Sequence, residues 1–212
     1  MSKEKSLFSK EMFISFTLTL LLIAPVSLLM AGDVEAGKSK SIVCSACHGQ
    51  DGNSINPLWP SLAGQHKQYT IHTLKAYKNG TRVDAVMQAQ VTALIEEDFE
   101  DIAAYYNAQN MENKDYDYVL AKKGESLYRG GNASTGVAAC IACHGPTGRG
   151  NPGAGYPSLA GQHAEYTENA LKDYTNDERK AGLNDMMQSL ATRLTAEEIE
   201  AVSEYIQALG SK

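Results

Sequence analysis

Cysteine is scarce in this chain, with four residues in 212, which excludes the dense disulfide framework of small exported domains. Positive charge is not in excess either: 19 lysines and arginines face 25 acids, for a formal net charge of −6. That balance argues against nucleic acid, which attracts basic patches, while permitting docking to a basic patch on a protein partner. β-Strand patterning is nearly absent. The conspicuous apolar run, Met12 to Met30, is confined to the N-terminus, behind the basic residues Lys3, Lys5 and Lys10 and ahead of Ala31 and the polar Gly32-Asp33-Val34-Glu35. Residues 1–31 therefore read as an export signal cleaved after Ala31. Leu29 is large for its place before the cleavage site, and the run is about long enough to span a membrane, so an uncleaved anchor is the alternative. On either reading residues 32–212 lie outside the cytoplasm, and without the leader the net charge is −7.

The few cysteines are placed tellingly. All four fall in two copies of Cys-X-X-Cys-His, as Cys44-Ser-Ala-Cys47-His48 and Cys140-Ile-Ala-Cys143-His144. This is the attachment pattern for c-type haem: two thiols one helical turn apart form thioethers to one porphyrin, and the next histidine turns its imidazole to the iron. A zinc site is the bland alternative, but zinc ribbons bring their pairs within roughly 15–20 residues of each other. Here the pairs are 96 residues apart, and each is followed by histidine. Two covalently bound haem c groups are expected.

The chain repeats itself. Pro60-Ser-Leu-Ala-Gly-Gln-His66 recurs as Pro157-Ser-Leu-Ala-Gly-Gln-His163, Tyr69 and Tyr77 recur as Tyr166 and Tyr174, and Tyr105 recurs as Tyr205. The offset grows from 96 to 100 along the copy, so the second copy carries small loop insertions. The expected domains are residues 32–109 and 119–212, joined by a polar linker over 110–118. Each is too small to bury much surface alone, and a bonded porphyrin would supply missing core.

Both copies read as helical. Helices are expected over 35–47 and 118–129, 66–79 and 163–176, and 96–109 and 195–209, with Thr195 and Glu198 as a capping box and Gly130-Gly131 as a break before the second haem motif. Gly37 and Gly124 would let the first helix of each copy cross closely over the last, at Tyr105 and Tyr205. The fold class is all-α.

Each iron needs a sixth ligand unless it binds substrate. Met87 and Met187 both precede the last helix of their copy by the same interval, seven residues before Leu94 and Leu194. A methionine more often fills core space, but the matched register favours ligation. Met186 adjoins Met187 and leaves the second choice open, and His66 and His163 are rivals, although their simpler role is a polar helix start near the surface. Pro60 and Pro157 lie 12 and 13 residues after His48 and His144, where a backbone carbonyl would accept the second ring N–H of each imidazole.

Two Cys-X-X-Cys-His-Gly motifs, two Pro-Ser-Leu-Ala-Gly-Gln segments, two late methionines and an Ala-Gly-Asp start resemble the cytochrome c4 family over nearly all of residues 32–212. The resemblance implies two tandem class I cytochrome c domains related by a pseudo-twofold, each enclosing one haem, with haem propionates facing each other. It implies His48 with Met87 and His144 with Met187 as axial ligands. It also implies a periplasmic diheme electron carrier, not an enzyme, with peripheral membrane association, working between a bc1-type complex and a terminal haem-copper oxidase. A diheme electron-accepting subunit of a sulfide or alcohol dehydrogenase is the alternative. A diheme peroxidase or thiosulfate-oxidising enzyme would need an open or unusually ligated iron, which matched methionines argue against.

Overall fold

The computed structural model describes residues 32–180 and 184–211, so the leader or anchor over residues 1–31 lies outside the described residues. Among the described residues, ten α-helices fall in two sets of five. The first set is α1 (Val34–Lys40), α2 (Ser45–His48), α3 (Lys67–Lys78), α4 (Ala85–Val91) and α5 (Glu96–Asn107). The second is α6 (Tyr118–Gly130), α7 (Ile141–His144), α8 (Ala164–Thr175), α9 (Met186–Ala191) and α10 (Ala196–Ala208). Two isolated bridges, Asn132 to Val137 and Asn151 to Tyr156, are the β-pairing among the described residues. No described helix is long and apolar enough to cross a membrane.

Local chemistry sets the helix ends. The Asp33 carboxylate caps α1 by accepting from the N–H groups of Glu35 and Ala36, and Asp117 caps α6 by accepting from Val119 and Leu120. The capping box at α10 is formed, with Glu198 N–H donating to Thr195 Oγ1 and Thr195 N–H to the Glu198 carboxylate. Where one helix over 35–47 is expected, the chain instead makes α1, a 3-10 turn over Ser41–Val43 and the short α2. The repeat pattern misses α4 and α9, the two short helices that carry the late methionines, because neither is long enough to show a period.

In each half the first helix crosses the last, and glycine permits it. A Cβ at Gly37 would fall 2.0 Å from Asp101 O, and one at Gly124 would fall 1.9 Å from Ala201 O. The crossing of α1 on α5 is tied further by Lys40, whose ammonium lies 2.8 Å from the Asp98 carboxylate and 2.6 Å from that of Asp101. Each half keeps its own core. Ile102, Tyr105 and Tyr106 centre the first, and Tyr128, Ile199, Val202 and Ile206 lie in the second. The connecting segment is held down, with Lys114 donating to Gly161 O at 2.7 Å and Gln207 to Asp115 O at 2.6 Å.

Between the halves the contacts are polar and reciprocal. Gln162 receives the Ser61 N–H at 2.9 Å and donates to Ser61 O at 2.8 Å. Gln65 receives the Ser158 N–H at 3.0 Å and donates to Ser158 O at 2.9 Å. The Gly124→Ala variant is expected to lose about 1–3 kcal/mol or more through overpacking, read by guanidinium unfolding of the haem-loaded protein. Gly130→Ala, with nothing within 4 Å of the added carbon, should stay within about 0.5 kcal/mol of the parent.

Candidate functional site

The two Cys-X-X-Cys-His segments adopt the same conformation. A single helical turn holds Cys44, Cys47 and His48 in one half and Cys140, Cys143 and His144 in the other, so the thiols and the imidazole stand one turn apart. Gly49 and Gly145 end these turns at φ of 80° and 74°, a region closed to most side chains. A Cβ at Gly49 would meet Asn53 O at 2.2 Å. The residue after each histidine is therefore glycine because the chain must reverse there.

None of the four cysteines is joined to another in a disulfide. Cys44 and Cys140 rest against the apolar cores. Burial raises the Cys44 thiol and pushes that of Cys140 up to about 11. Among the described residues, no three His, Cys, Asp or Glu side chains gather as a metal cluster. The two cysteine pairs do not converge on one zinc ion.

The imidazoles are oriented as a metal would need them. His48 Nδ1 lies 2.8 Å from Pro60 O and His144 Nδ1 lies 3.1 Å from Pro157 O. A carbonyl only accepts, so Nδ1 carries the proton and the lone pair sits on Nε2. Both rings are buried, and burial lowers both pKa values, which favours the neutral form, the one able to coordinate a metal. The Tyr156 ring stands 6.3 Å from that of His144, centre to centre. Paired thiols beside a buried neutral imidazole suit a covalently attached porphyrin: Cys44 and Cys47 would hold one, Cys140 and Cys143 the other.

A family model described as Cytochrome c matches twice, over residues 34–109 and 121–210. A cytochrome c4 from Pseudomonas aeruginosa is 43% identical over 180 residues, covering 84% of this chain and 90% of that protein. The chain belongs to the cytochrome c4 family. The crystal structure of reduced recombinant cytochrome c4 from Pseudomonas stutzeri matches with a TM-score of 0.80 at 43% identity, covering 84% of this chain and 98% of that one. A more distant relative, the thiosulfate dehydrogenase electron acceptor of Stutzerimonas stutzeri, is 32% identical over 178 residues, covering 81% of each chain. As a member of the cytochrome c4 family, this is an electron-transfer protein with two cytochrome c domains and two covalently bound haems.

The late methionines occupy matching short helices. Met87 is half-buried in α4, and its N–H donates to the Asp84 carboxylate that caps the helix, at 2.9 Å. Met187 is half-buried in α9 and packs on the second core together with Cys140, whereas Met186 is 45% exposed. His66 and His163 differ from the surface helix starts expected of them. Neither side chain caps its helix. Instead His66 Nε2 lies 2.7 Å from Arg149 O and His163 Nε2 lies 2.8 Å from Ser54 O, each in the other half. His163 is 7% exposed. A helix-start pattern in sequence does not reveal a partner about a hundred residues away.

Sequence reasoning also passed over Gln65 and Gln162, although both lie in the repeated Pro-Ser-Leu-Ala-Gly-Gln-His segment. Each glutamine grips the residue after the proline that orients the other half's histidine. Repetition of a side chain with no role in its own helix was the available signal. Gln162→Ala would leave the buried Ser61 N–H and carbonyl unpaired, at a cost of about 1–3 kcal/mol. Amide exchange should quicken at Ser61 in this variant and stay unchanged at Ser158.

Proposed function

We propose that the chain shuttles electrons in the periplasm between respiratory complexes, from a bc1-type donor towards a terminal haem-copper oxidase. The observation that carries this reading is the matched placement of one proline-anchored imidazole and one methionine in each half. Bound haem supplies a one-electron couple; the protein sets its ligands and surroundings. His48 and His144 present Nε2 to the iron, and the proline carbonyls fix both rings and raise their basicity. Met87 and Met187 would hold the iron on the side away from each imidazole, which would leave no position for oxygen, peroxide or sulfur compounds. A thioether ligand raises the potential relative to a second imidazole, as suits a carrier on the oxidising side of a respiratory chain.

The burial of Met187 against the core beside Cys140, with Met186 turned outward, supports Met187 as the second ligand. The rival histidines are occupied, since each commits Nε2 to a carbonyl across the seam. Residues 32–109 and 119–212 serve as the two haem domains, with 110–118 between them. Residues 1–31 direct the chain across the membrane, or hold it there.

A second reading has specific support. The 32% identical relative named as a thiosulfate dehydrogenase electron acceptor makes an electron-accepting subunit of a dehydrogenase the alternative. The chemistry inside the chain would be the same, and co-purification of a dehydrogenase subunit would favour it. Met87→Ala and Met187→Ala are each expected to turn one haem high-spin and lower its potential, while Met186→Ala leaves both haems low-spin. Absorption spectra of the reduced and oxidised protein with a redox titration check this. Two low-spin haems in Met87→Ala or in Met187→Ala would overturn that ligand assignment.

A further inference from the structure

The seam contacts of Gln162 and Gln65 fall on two particular peptide groups. Pro60 O and the Ser61 N–H are the two ends of one such group. At one end the carbonyl lies 2.8 Å from His48 Nδ1. At the other the N–H donates to Gln162 Oε1 at 2.9 Å. The peptide between Pro157 and Ser158 repeats this, with His144 Nδ1 at 3.1 Å from Pro157 O and the Ser158 N–H donating to Gln65 Oε1 at 3.0 Å. Each imidazole is therefore joined, through one planar conjugated unit, to a glutamine of the other half.

The setting of each glutamine is over-determined. Gln162 Oε1 also accepts the His163 N–H at 3.0 Å, and Gln162 Nε2 donates to Ser61 O at 2.8 Å. Gln65 does the same, accepting from the His66 N–H at 3.0 Å and donating to Ser158 O at 2.9 Å. Reversing either amide would set its NH2 group against two N–H donors and its oxygen against a carbonyl. Gln162 and Ser61 are 8% and 3% exposed, so water competes little here. An N–H engaged by an acceptor shifts electron density through the amide onto the carbonyl oxygen, and hydrogen bonds in such a chain strengthen one another. The carbonyl then accepts more strongly from Nδ1–H, which makes the imidazole more basic at Nε2. A more basic ligand favours the ferric state, which carries one positive charge more than the ferrous.

We infer that Gln162 is a positioning residue for His48 and Gln65 for His144, each lowering the potential of the haem in the opposite half. This rests on the diheme reading above. The wiring is crossed, so a change in how the halves meet is felt at both irons without displacing a ligand.

The test is a redox titration of the haem-loaded parent and its Gln162→Met and Gln65→Met variants, each haem followed by its own methyl signals in proton NMR. Methionine fills similar space without the amide. Gln162→Met should raise the potential of the first-half haem, increasing its reduced-to-oxidised ratio at fixed ambient potential about threefold. That ratio equals about 28 mV for a one-electron couple. The second-half haem should move far less, and Gln65→Met should reverse the pattern. In the reduced proteins the Nδ1 proton of His48 should move upfield in Gln162→Met, with that of His144 unmoved. Unchanged potentials, equal shifts in both haems, or the larger shift in the glutamine's own half would overturn the inference, as would an unmoved His48 Nδ1 proton. A seam that was merely loosened would move both haems alike. Should the variants fail to assemble, redox-difference infrared spectra of the parent labelled with side-chain carbonyl-13C glutamine decide. A label-sensitive amide band is expected in each reduction step, and its absence counts against the wiring. Haem content separates the two levels: fewer than two haems per chain defeats the diheme reading, whereas two low-spin haems with unmoved potentials defeat only the crossed wiring.

Discussion

The bond from each haem-motif histidine to a proline carbonyl governs more of this molecule than its length suggests. Pro60 O fixes the His48 ring, and the next residue, Ser61, offers its N–H and carbonyl to Gln162 of the other half. Pro157, Ser158 and Gln65 repeat the arrangement around His144. One short segment therefore orients an imidazole, ends the haem-motif loop and joins the halves. Proline suits this position because it stiffens the loop and needs no partner for a missing N–H, leaving its carbonyl for the imidazole.

The interior of each half and the seam between halves follow different physics. Inside, aromatic and aliphatic side chains pack around the cysteines, and the first helix crosses the last at a glycine. At the seam, backbone groups, amides, imidazoles, phenols and guanidiniums meet. Polar contacts of this kind are geometrically exacting, since a buried polar group left unpaired costs more than a well-made bond returns. They fix how one half sits against the other more sharply than a greasy interface of equal area would. Two electron-carrying groups need such a fixed relation.

Much of this was legible in the residues. Cys-X-X-Cys-His names its cofactor by spacing, and the duplication shows as a slowly drifting offset. Gly37 and Gly124 announce a close crossing once Tyr105 and Tyr205 are seen to repeat. What stayed hidden depended on contacts between the copies. His66 and His163 look like helix starts because the carbonyls they bond, Arg149 O and Ser54 O, are remote in sequence. Gln65 and Gln162 look like ordinary polar residues for the same reason. The helices carrying Met87 and Met187 are 7 and 6 residues long, too short for a hydrophobic period, and their existence depends on packing against α3 and α8.

The glutamine–serine pairs are reciprocal: what the first half offers the second, the second offers back in the same atoms. Such an arrangement is isologous, the pattern of a symmetric dimer, here enclosed in one polypeptide. Either half on its own would display both the glutamine and the serine it grips, a surface matched to its own copy. The connecting segment therefore did not have to create the association between the halves. It made permanent, and independent of concentration, a pairing that the repeat unit already encodes.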